Sequence, residues 1–200
     1  MENTENLEEK KALEKGTIRI KKEYIDDLKH MFGLMGVSYI HADGEAEAYA
    51  SELCRLGFVD AVMTEDMDTL SYGCPQLFRT CIDKSIKRPD IVTIFNFEKI
   101  LEDFKMNHDE FIDMCILCGC DYCPTIPKVG PVRAMKYIHK YKSIENLIES
   151  DEKINIPEEF KNKYIASRGL FKVFDGKIDL ENLPISKSKY DSDGIYKYLV

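Results

Sequence analysis

The spacing of apolar and polar residues predicts a helix near the start of the chain, followed by strands that alternate with helices. Apolar residues recur at helical spacing over Lys22–Gly36, and the closing glycine is a typical stop signal. Short apolar runs predict strands at Val37–His41 and Val59–Met63. The helix between them begins at Asp43 or Gly44. This succession is typical of a parallel α/β unit.

The second half of the chain contains two further strand patterns and then a series of helical ones. Gln76–Cys81 and Ile91–Phe95 predict strands, and the polar, basic segment Lys84–Pro89 predicts a loop between them. The helical patterns cover Phe97–Phe104, Asp109–Gly119, Pro131–Tyr141, Ile144–Glu149 and Ala166–Phe174. After these we expect mostly loop. The sequence therefore predicts an α/β fold with a mainly parallel twisted sheet flanked by helices, and a C-terminal helical cluster beside it.

Composition favours one substantial core in an intracellular protein. The chain has 200 residues, of which 44% are hydrophobic, and that is enough for one core. No apolar run approaches the roughly 18 residues of a membrane span, and the acidic N-terminus lacks the order of a signal peptide. Seven cysteines without an export signal are expected to be reduced thiols. We expect no membrane partner.

The local distribution of charge indicates a nucleic-acid partner, although the net charge of the chain does not. The net charge is −8, whereas nucleic-acid binders usually carry a basic surplus. Between Asp121 and Glu145, however, no acidic residue occurs. The basic residues of this stretch are Lys128, Arg133, Lys136, Lys140 and Lys142. Phosphates would contact such a local basic segment, although a basic helix that merely faces solvent is the other interpretation.

Carboxylates fall where a parallel α/β fold has its active site, at the ends of strands and the starts of the helices that follow. They form three groups: Glu45 with Glu47, Asp66 with Asp68, and Asp121 alone. In an extended segment residues two apart point the same way, so Asp66 and Asp68 could face one cation together. Glu45 and Glu47 would diverge by about 200° within a regular helix, and could reach one site only from its irregular first turn.

Five carboxylates in one cleft would repel one another, each pair at ~4 Å costing on the order of 1 to 4 kcal/mol. Cations must offset this repulsion, and ligands that are all oxygens suit Mg²⁺ or Mn²⁺. Two such ions about 3.5 to 4 Å apart can stabilise the attacking and leaving oxygens at a phosphodiester. Each acidic group taken alone also fits a solvated surface, since 36 of the 200 residues are Asp or Glu.

Four segments together resemble a known family in both content and order. They are Ala42-Asp-Gly-Glu-Ala-Glu-Ala48, Thr64-Glu-Asp-Met-Asp-Thr-Leu70, Cys115-Ile-Leu-Cys-Gly-Cys-Asp-Tyr-Cys123 and Val129-Gly-Pro-Val-Arg-Ala134. In this order they resemble the XPG-type flap endonucleases, and the similarity runs from about Lys21 to the end. The resemblance implies a PIN-like 5′ nuclease fold whose C-terminal helical cluster binds DNA.

The resemblance also implies a reaction. It is that of a structure-specific 5′ flap endonuclease of DNA replication and repair, which hydrolyses phosphodiester bonds in branched DNA with two Mg²⁺ ions, or with Mn²⁺ in their place. The catalytic ligands implied for one ion are Glu45 and Glu47. Those implied for the other are Asp66, Asp68 and Asp121. The implied location is the nucleus or another site of DNA replication.

The segment Thr125–Lys142 matches the helix-two-turn-helix element with which the family holds duplex DNA. A Gly-Pro turn before a helix leaves backbone N–H groups pointing outward, and a helix N-terminus attracts phosphate. The family often binds K⁺ there, through backbone carbonyls and a hydroxyl at the position of Thr125. Lys128 replaces the family's first glycine, and Val132 replaces a usual lysine. The DNA-binding residues implied are Arg79, Thr125, Lys128, Gly130, Arg133 and Lys136.

Two other functional interpretations use parts of the same motifs. Cys115, Cys118, Cys120 and Cys123 have a spacing that a zinc or iron–sulfur site could use. The first two also lie in an apolar helical run, so buried structural thiols account for them better. Asp66-Met-Asp-Thr-Leu70 fits the phosphatase pattern DxDxT, with the first aspartate as nucleophile. That class needs a downstream GDxxxD-type motif, which the sequence lacks.

A third interpretation is a non-catalytic or incomplete DNA-binding fragment of such a nuclease. The family places two more metal-binding aspartates and a basic arch helix upstream of the part that resembles this chain, and a tail with a sliding-clamp peptide downstream. Residues 1–22 are expected to be a charged lead-in that resembles at most the end of the arch, 23–120 the α/β nuclease core, and 121–200 the helix-two-turn-helix and C-terminal helical part. A sliding clamp is not expected to bind through this chain.

Overall fold

The computed structural model describes residues 20–80, 91–150, 153–172, 178–186 and 189–199. The helices are α1 Lys22–Met35, α2 Ala46–Arg55, α3 Asp68–Ser71, α4 Phe97–Phe104, α5 His108–Cys118, α6 Pro131–Tyr141, α7 Ile144–Ile148, α8 Glu158–Lys172 and α9 Ser192–Leu199. The strands are β1 Val62–Met63, β2 Gln76–Thr80 and β3 Val92–Asn96. These elements fall into two units, Met1–His41 with Asn182–Val200, and Ala42–Glu181. The boundaries expected after residues 22 and 120 divide the chain by function and stay a prediction.

Helix α1 is the main element of the first unit, and it agrees with the prediction over Lys22–Gly36. Gly36 follows the helix in the left-handed region at φ 68°, and its N–H bonds the carbonyl of Gly33 at 3.2 Å. A Cβ on Gly36 would lie 2.8 Å from the backbone nitrogen of Tyr190. Both the backbone conformation and the close approach of the two chain segments therefore require glycine here.

One prediction for the first unit is wrong, and one of its helices was not predicted. Val37–His41 is not a strand, because Tyr39 makes one isolated antiparallel bridge with Ser186 and no ladder extends from it. The region expected to be mostly loop contains α9, which begins where the carboxylate of Asp191 accepts a hydrogen bond from the N–H of Gly194 at 2.9 Å. A glycine lowers helix propensity, and the packing of α9 on α1 offsets that cost.

The second unit contains a mixed sheet in the order β1-β2-β3. β1 pairs with β2 in parallel, with Val62 opposite Leu77, and β2 pairs with β3 antiparallel, with Leu77 opposite Phe95. The α/β class is confirmed, but within the described residues the sheet is not mainly parallel. β2 and β3 follow each other in the chain and pair directly, and an antiparallel pair of this kind needs no crossover helix.

The predicted helices of the second unit are mostly present with small shifts in their ends. Helices α4 and α6 begin and end where predicted, α5 begins and ends one residue earlier than predicted, and α7 ends one residue earlier. Helix α2 begins at Ala46, later than the predicted start at Asp43 or Gly44. Strand β1 is confined to Val62–Met63, the two residues that pair with β2. None of the described helices is long and apolar enough to cross a bilayer.

Helix α8 begins at Glu158, well before the predicted start at Ala166. The prediction missed its first two turns because the buried face of the helix is partly polar. The residues that it buries at helical spacing are Phe160, Tyr164, Ser167 and Phe171. The serine and the charged residues around it obscure the apolar periodicity on which the prediction depends. Four predicted features lie wholly or partly outside the described residues: most of the charged lead-in over residues 1–22, the strand end at Cys81, the loop Lys84–Pro89 and the helix end at Phe174.

An ion cluster around the buried Asp113 joins α5, α7 and α8. Asp113 is 3% exposed, and its Oδ1 lies 2.6 Å from Nε of Arg168. Its Oδ2 accepts a hydrogen bond from the backbone N–H of Ile144 at 3.0 Å. Nη1 of Arg168 also lies 2.6 Å from Oε1 of Glu145. One guanidinium thus pairs with both carboxylates, and a buried charge is tolerated only when it is paired in this way. The cluster fixes α8 against α5 and α7.

Candidate active site and nucleic-acid interface

Glu45 and Glu47 occupy the irregular start of α2. Glu45 is the N-cap residue, with extended backbone angles of φ −67° and ψ 118°, and Glu47 lies in the first turn. This is the arrangement in which both carboxylates can reach one place despite their spacing. Ser51, one turn further on, donates its hydroxyl to the carbonyl of Glu47 at 2.6 Å. That bond keeps the first turn in place.

Asp66 and Asp68 are held by a turn and not, as predicted, by an extended segment. Oδ1 of Asp66 accepts a hydrogen bond from the N–H of Asp68 at 2.9 Å, and the N–H of Asp66 bonds Oγ1 of Thr64 at 3.1 Å. Short polar side chains compete in this way with strand pairing for backbone groups. The strand therefore ends at Met63, and Asp68 becomes the first residue of α3.

The negative charges of the expected metal ligands converge on Asp68. Burial raises the pKa of the Asp68 carboxyl, and the charges of three neighbours raise it further. These neighbours are Asp66, Asp121 and Glu47. Asp121 is exposed and follows the end of α5. The structure thus brings together carboxylates from the start of α2, the start of α3 and the segment after α5.

Glu45 reaches the same neighbourhood, which two tyrosines help to form. The negative charges of Glu45 and Asp68 act on the phenols of both Tyr72 and Tyr122. The two phenol oxygens are 3.2 Å apart. This pair was not predicted from the sequence, although the position of Tyr122 directly after Asp121 was a signal that could have indicated it.

The oxygen donors of the five carboxylates suit a hard divalent cation, but these side chains do not form a complete coordination shell. All of the donors are oxygens, which Mg²⁺ and Mn²⁺ prefer, and a cation would relieve the crowding of charge at Asp68. Across the described ranges, no three His, Cys, Asp or Glu side chains stand close enough together to hold an ion. Mg²⁺ commonly takes one or two protein carboxylates and completes its coordination with water and substrate phosphate. The set therefore suits an ion that binds together with a substrate.

The cysteine-rich segment beside the carboxylates consists of thiols that pack in the core. Cys123 belongs to the buried hydrophobic core, and Cys115, Cys118 and Cys120 pack against it. Burial raises the pKa of Cys115 to about 12. Burial also raises the pKa of Cys118, Cys120 and Cys123. The packing supports the interpretation of the segment as structural thiols.

A tight turn before α6 carries Lys128. The N–H of Val129 bonds the carbonyl of Ile126 at 3.0 Å, so Pro127 and Lys128 are the central residues of the turn. Lys128 has φ 66°, in the left-handed region that favours glycine. The lysine thus adopts a backbone conformation suited to the glycine that it replaces, and the turn is kept.

The start of α6 presents a basic surface to solvent. Gly130 is the N-cap residue, and Lys128, Arg133 and Lys136 are all exposed. Val132, where the family usually has a lysine, is 85% exposed. Nη1 of Arg133 donates a hydrogen bond to the carbonyl of Lys128 at 2.9 Å, a contact that was not predicted from the sequence. The guanidinium has further N–H groups with which to bind a phosphate.

The two other expected DNA-binding residues lie outside this helix. Nε of Arg79, on β2, lies 3.0 Å from Oε2 of Glu65. The second carboxylate oxygen of Glu65 accepts a hydrogen bond from the hydroxyl of Thr80 at 2.6 Å. Arg79 is therefore ion-paired in this structure. Thr125 is exposed directly before the turn. A DNA contact of Arg79 and a potassium ion at Thr125 stay predictions.

The chain is similar in sequence and fold to flap endonucleases over most of its length. Residues 36–121 match the family model described as XPG I-region. Flap endonuclease 1 of Glycine max is 39% identical over 199 residues, which are 98% of this chain and 51% of that protein. The structure of flap endonuclease-1 from Methanococcus jannaschii matches with a TM-score of 0.73 at 27% identity, covering 99% of this chain and 58% of that one. The catalytic core of Rad2 in complex with DNA substrate shares the fold, with a TM-score of 0.75 at 19% identity over 95% of this chain and 68% of that one.

These similarities include both parts of the candidate site. The XPG I-region match ends at Asp121, so it contains all five expected metal ligands. The similarity to the Glycine max protein extends over nearly the whole chain, so it includes the turn and α6 as well. The chain spans about half the length of the curated relatives it matches. The 5′ nuclease fold is confirmed, and the chain is similar to the XPG-type flap endonucleases both in the XPG I-region and over nearly its whole length.

Proposed function

We propose that this chain is the core of a structure-specific 5′ flap endonuclease, which hydrolyses phosphodiester bonds of branched DNA in replication and repair. The observation that carries the proposal is the convergence of carboxylates from three separate segments on Asp68. The reaction named for a relative at 39% identity supports it. Such a reaction would take place in the nucleus or at another site of DNA replication.

The acidic cluster would hold two divalent cations. The ligands of one would be Glu45 and Glu47, and those of the other Asp66, Asp68 and Asp121. When bound, Mg²⁺ supplies Lewis-acid stabilisation of charge on the scissile phosphate and activates a water molecule for attack. Mn²⁺ has the same preference for oxygen ligands and would replace it. No side chain of the protein is needed as the nucleophile.

The duplex would be held away from the acidic cluster, because free carboxylates repel phosphate. The exposed turn and the start of α6 suit this role, since Lys128, Arg133 and Lys136 are all exposed there. The outward N–H groups at the start of α6 would add contacts to phosphate oxygens. Such contacts position a duplex without reading its sequence. A potassium ion would bind beside them, at the Thr125 hydroxyl and carbonyls of the turn.

Arg79 would add a further contact to DNA beside the expected metal ligands, because its ion-pair partner Glu65 directly precedes Asp66. In the DNA-free structure its guanidinium is paired with Glu65. Glu65 is exposed and Arg79 is partly exposed, and an ion pair at such a position contributes little to stability. A phosphate could therefore replace Glu65 as the partner of Arg79 at little cost.

Cleavage of a duplex with a labelled 5′ flap tests the proposed reaction. In the presence of Mg²⁺ the chain is expected to cut near the base of the flap. Asp121→Asn should abolish cutting, while binding stays equal or becomes tighter because one negative charge near the phosphates is removed. Glu149→Gln removes an exposed carboxyl after α7 and should leave both cutting and binding unchanged.

Two outcomes would count against the proposal. Binding of flapped DNA without any cutting by the unaltered chain would contradict the enzymatic reaction and favour a non-catalytic DNA-binding role. Cutting by Asp121→Asn at the rate of the unaltered chain would show that the acidic cluster is not the active site.

A further inference from the structure

Tyr72 and Tyr122 connect the two segments that carry Asp68 and Asp121. The backbone N–H of Tyr72 donates to the carbonyl of Asp68 at 3.2 Å, so the two residues share one helical turn. Tyr122 directly follows Asp121. The phenol oxygens of the tyrosines are 3.2 Å apart, although the residues are 50 positions apart in sequence.

Packing restricts the movement of both rings. Tyr72 is buried, and its ring centroid lies 5.3 Å from that of Phe171 on α8. The ring of Tyr122 lies 5.6 Å from the same phenylalanine. Helix α8 is in turn fixed by the ion pair between Arg168 and Asp113. A buried phenol oxygen needs a hydrogen-bond partner, and here each hydroxyl is the partner of the other.

We propose that Tyr72 and Tyr122 are positioning residues, whose hydroxyl contact sets the separation of the Asp68 and Asp121 carboxylates and thereby the affinity of the site for a divalent cation. The inference rests on the proposed function. Two negative carboxylates repel each other and push their segments apart. The hydroxyl contact opposes that separation. It also uses no carboxylate oxygen, so every oxygen of Asp68 and Asp121 remains a candidate ligand.

Removal of the hydroxyls, singly and together, tests this inference. Tyr72→Phe, Tyr122→Phe and the double variant keep both rings and their packing. A Mn²⁺ titration of the DNA-free protein is followed by calorimetry and by the rise in melting temperature. Each single variant should raise the midpoint Mn²⁺ concentration about threefold to tenfold, the size expected for loss of one hydrogen bond. The double variant should show the same shift as either single variant, because the two hydroxyls form one contact.

Tyr164→Phe is the matched control. It also removes a hydroxyl from a buried tyrosine, but that hydroxyl interacts with Glu145 and not with the acidic cluster. The variant should keep the midpoint of the unaltered protein, even if its melting temperature without metal falls. Any general loss of stability is thereby separated from a loss of metal affinity.

The outcomes distinguish this inference from the proposed function. If the unaltered protein binds Mn²⁺ and both single variants bind it equally well, the positioning role is wrong while the metal site stands. If the effects of the two substitutions add in the double variant, the hydroxyls do not act as a pair and the inference is also wrong. If the unaltered protein binds no Mn²⁺, the proposed metal site is wrong and the inference fails with it.

Discussion

Nη1 of Arg133 donates a hydrogen bond to the backbone carbonyl of Lys128 at 2.9 Å, across the turn that precedes α6. Lys128 has φ 66°, a conformation that is costly for a residue with a Cβ atom. The hydrogen bond stabilises this conformation. The side chain of Arg133 thus stabilises the backbone of the turn that carries Lys128. Both residues belong to the surface proposed to hold DNA.

Lys128→Gly should make the protein more stable and its DNA binding weaker. Glycine adopts a positive φ without strain, so the free energy of unfolding should rise by about 0.5 to 1 kcal/mol. The loss of one cation should make the slope of log affinity against log salt shallower by about 0.9. Thermal unfolding and fluorescence anisotropy at several salt concentrations measure the two effects.

Lys105→Gly is the control for this prediction. Lys105 also has a positive φ, 52°, but it follows α4 and lies outside the basic segment. It should give a similar gain in stability with an unchanged salt slope. A Lys128→Gly variant that kept the salt slope of the unaltered protein would rule out a phosphate contact at Lys128.

Arg133→Gln should lower both stability and DNA affinity, whereas Lys136→Gln should lower affinity alone. The two changes remove the same charge from exposed positions on α6. Only Arg133 bonds the carbonyl of Lys128, and loss of that bond should cost about 0.5 to 1.5 kcal/mol of unfolding free energy. Equal melting temperatures for the two variants would contradict a structural role for Arg133.

Mg²⁺ should raise the melting temperature of the unaltered protein, because a cation that binds only the folded state stabilises it. Asp66→Asn combined with Asp68→Asn should remove most of that gain. The double variant should also melt higher than the unaltered protein without metal, because two crowded negative charges are gone. Asparagine at 66 keeps an oxygen that can accept the N–H of Asp68. A double variant that gained as much from Mg²⁺ as the unaltered protein would refute this assignment of the ligands. Asp103→Asn, at an exposed position on α4, is the control and should keep the full gain from Mg²⁺.

Stability should fall as the pH drops below about 4.5, and Glu145 should cause part of the fall. Hydrogen bonds from Arg168 lower the pKa of Glu145 from its ordinary value of 4.5 to about 2. A carboxyl with a lowered pKa in the folded state contributes stability that is fully present above its unfolded pKa and is lost as the pH falls through its folded pKa. Glu145→Gln should therefore flatten the decline in melting temperature between pH 4.5 and 2.

Asp113 cannot produce the same acid-induced loss. Burial raises the pKa of Asp113, although hydrogen bonds from Arg168 and Ile144 act in the opposite direction. A group with a raised pKa in the folded state contributes stability at low pH and loses it as the pH rises.

Glu149→Gln is the control for the Glu145→Gln prediction, and it should keep the acid profile of the unaltered protein. An unchanged acid profile for Glu145→Gln would show that its pair with Arg168 adds nothing to stability.

The purified protein should contain no stoichiometric zinc or iron. Cys115, Cys118 and Cys120 pack against the hydrophobic core and Cys123 belongs to it, as is expected of structural thiols. Elemental analysis measures the content directly. Cys118→Ala with Cys120→Ala should leave that content unchanged. One zinc or iron atom per chain, lost in this double variant, would reverse the structural interpretation of the thiols.

Local spacing was sufficient to predict the similarity to flap endonucleases and much of the helical structure. The four motifs are short and contiguous, and their order depends on no contact between distant residues. Helices α4, α5 and α6 follow the predicted ranges closely, because an amphipathic helix is encoded by residues three and four apart. Helical geometry also showed that Glu45 and Glu47 could reach one site only from the irregular start of a helix, which is where the structure has them.

Contacts between distant parts of the chain decided the rest. The antiparallel pairing of β3, the single bridge of Tyr39 and the helix α9 all depend on a partner that no local pattern identifies. The contact between Tyr72 and Tyr122 joins residues 50 positions apart, and that between Arg168 and Asp113 joins residues 55 apart. Periodicity shows which face of an element is buried, but the partner on that face is selected by packing and hydrogen bonding summed over the whole folded chain.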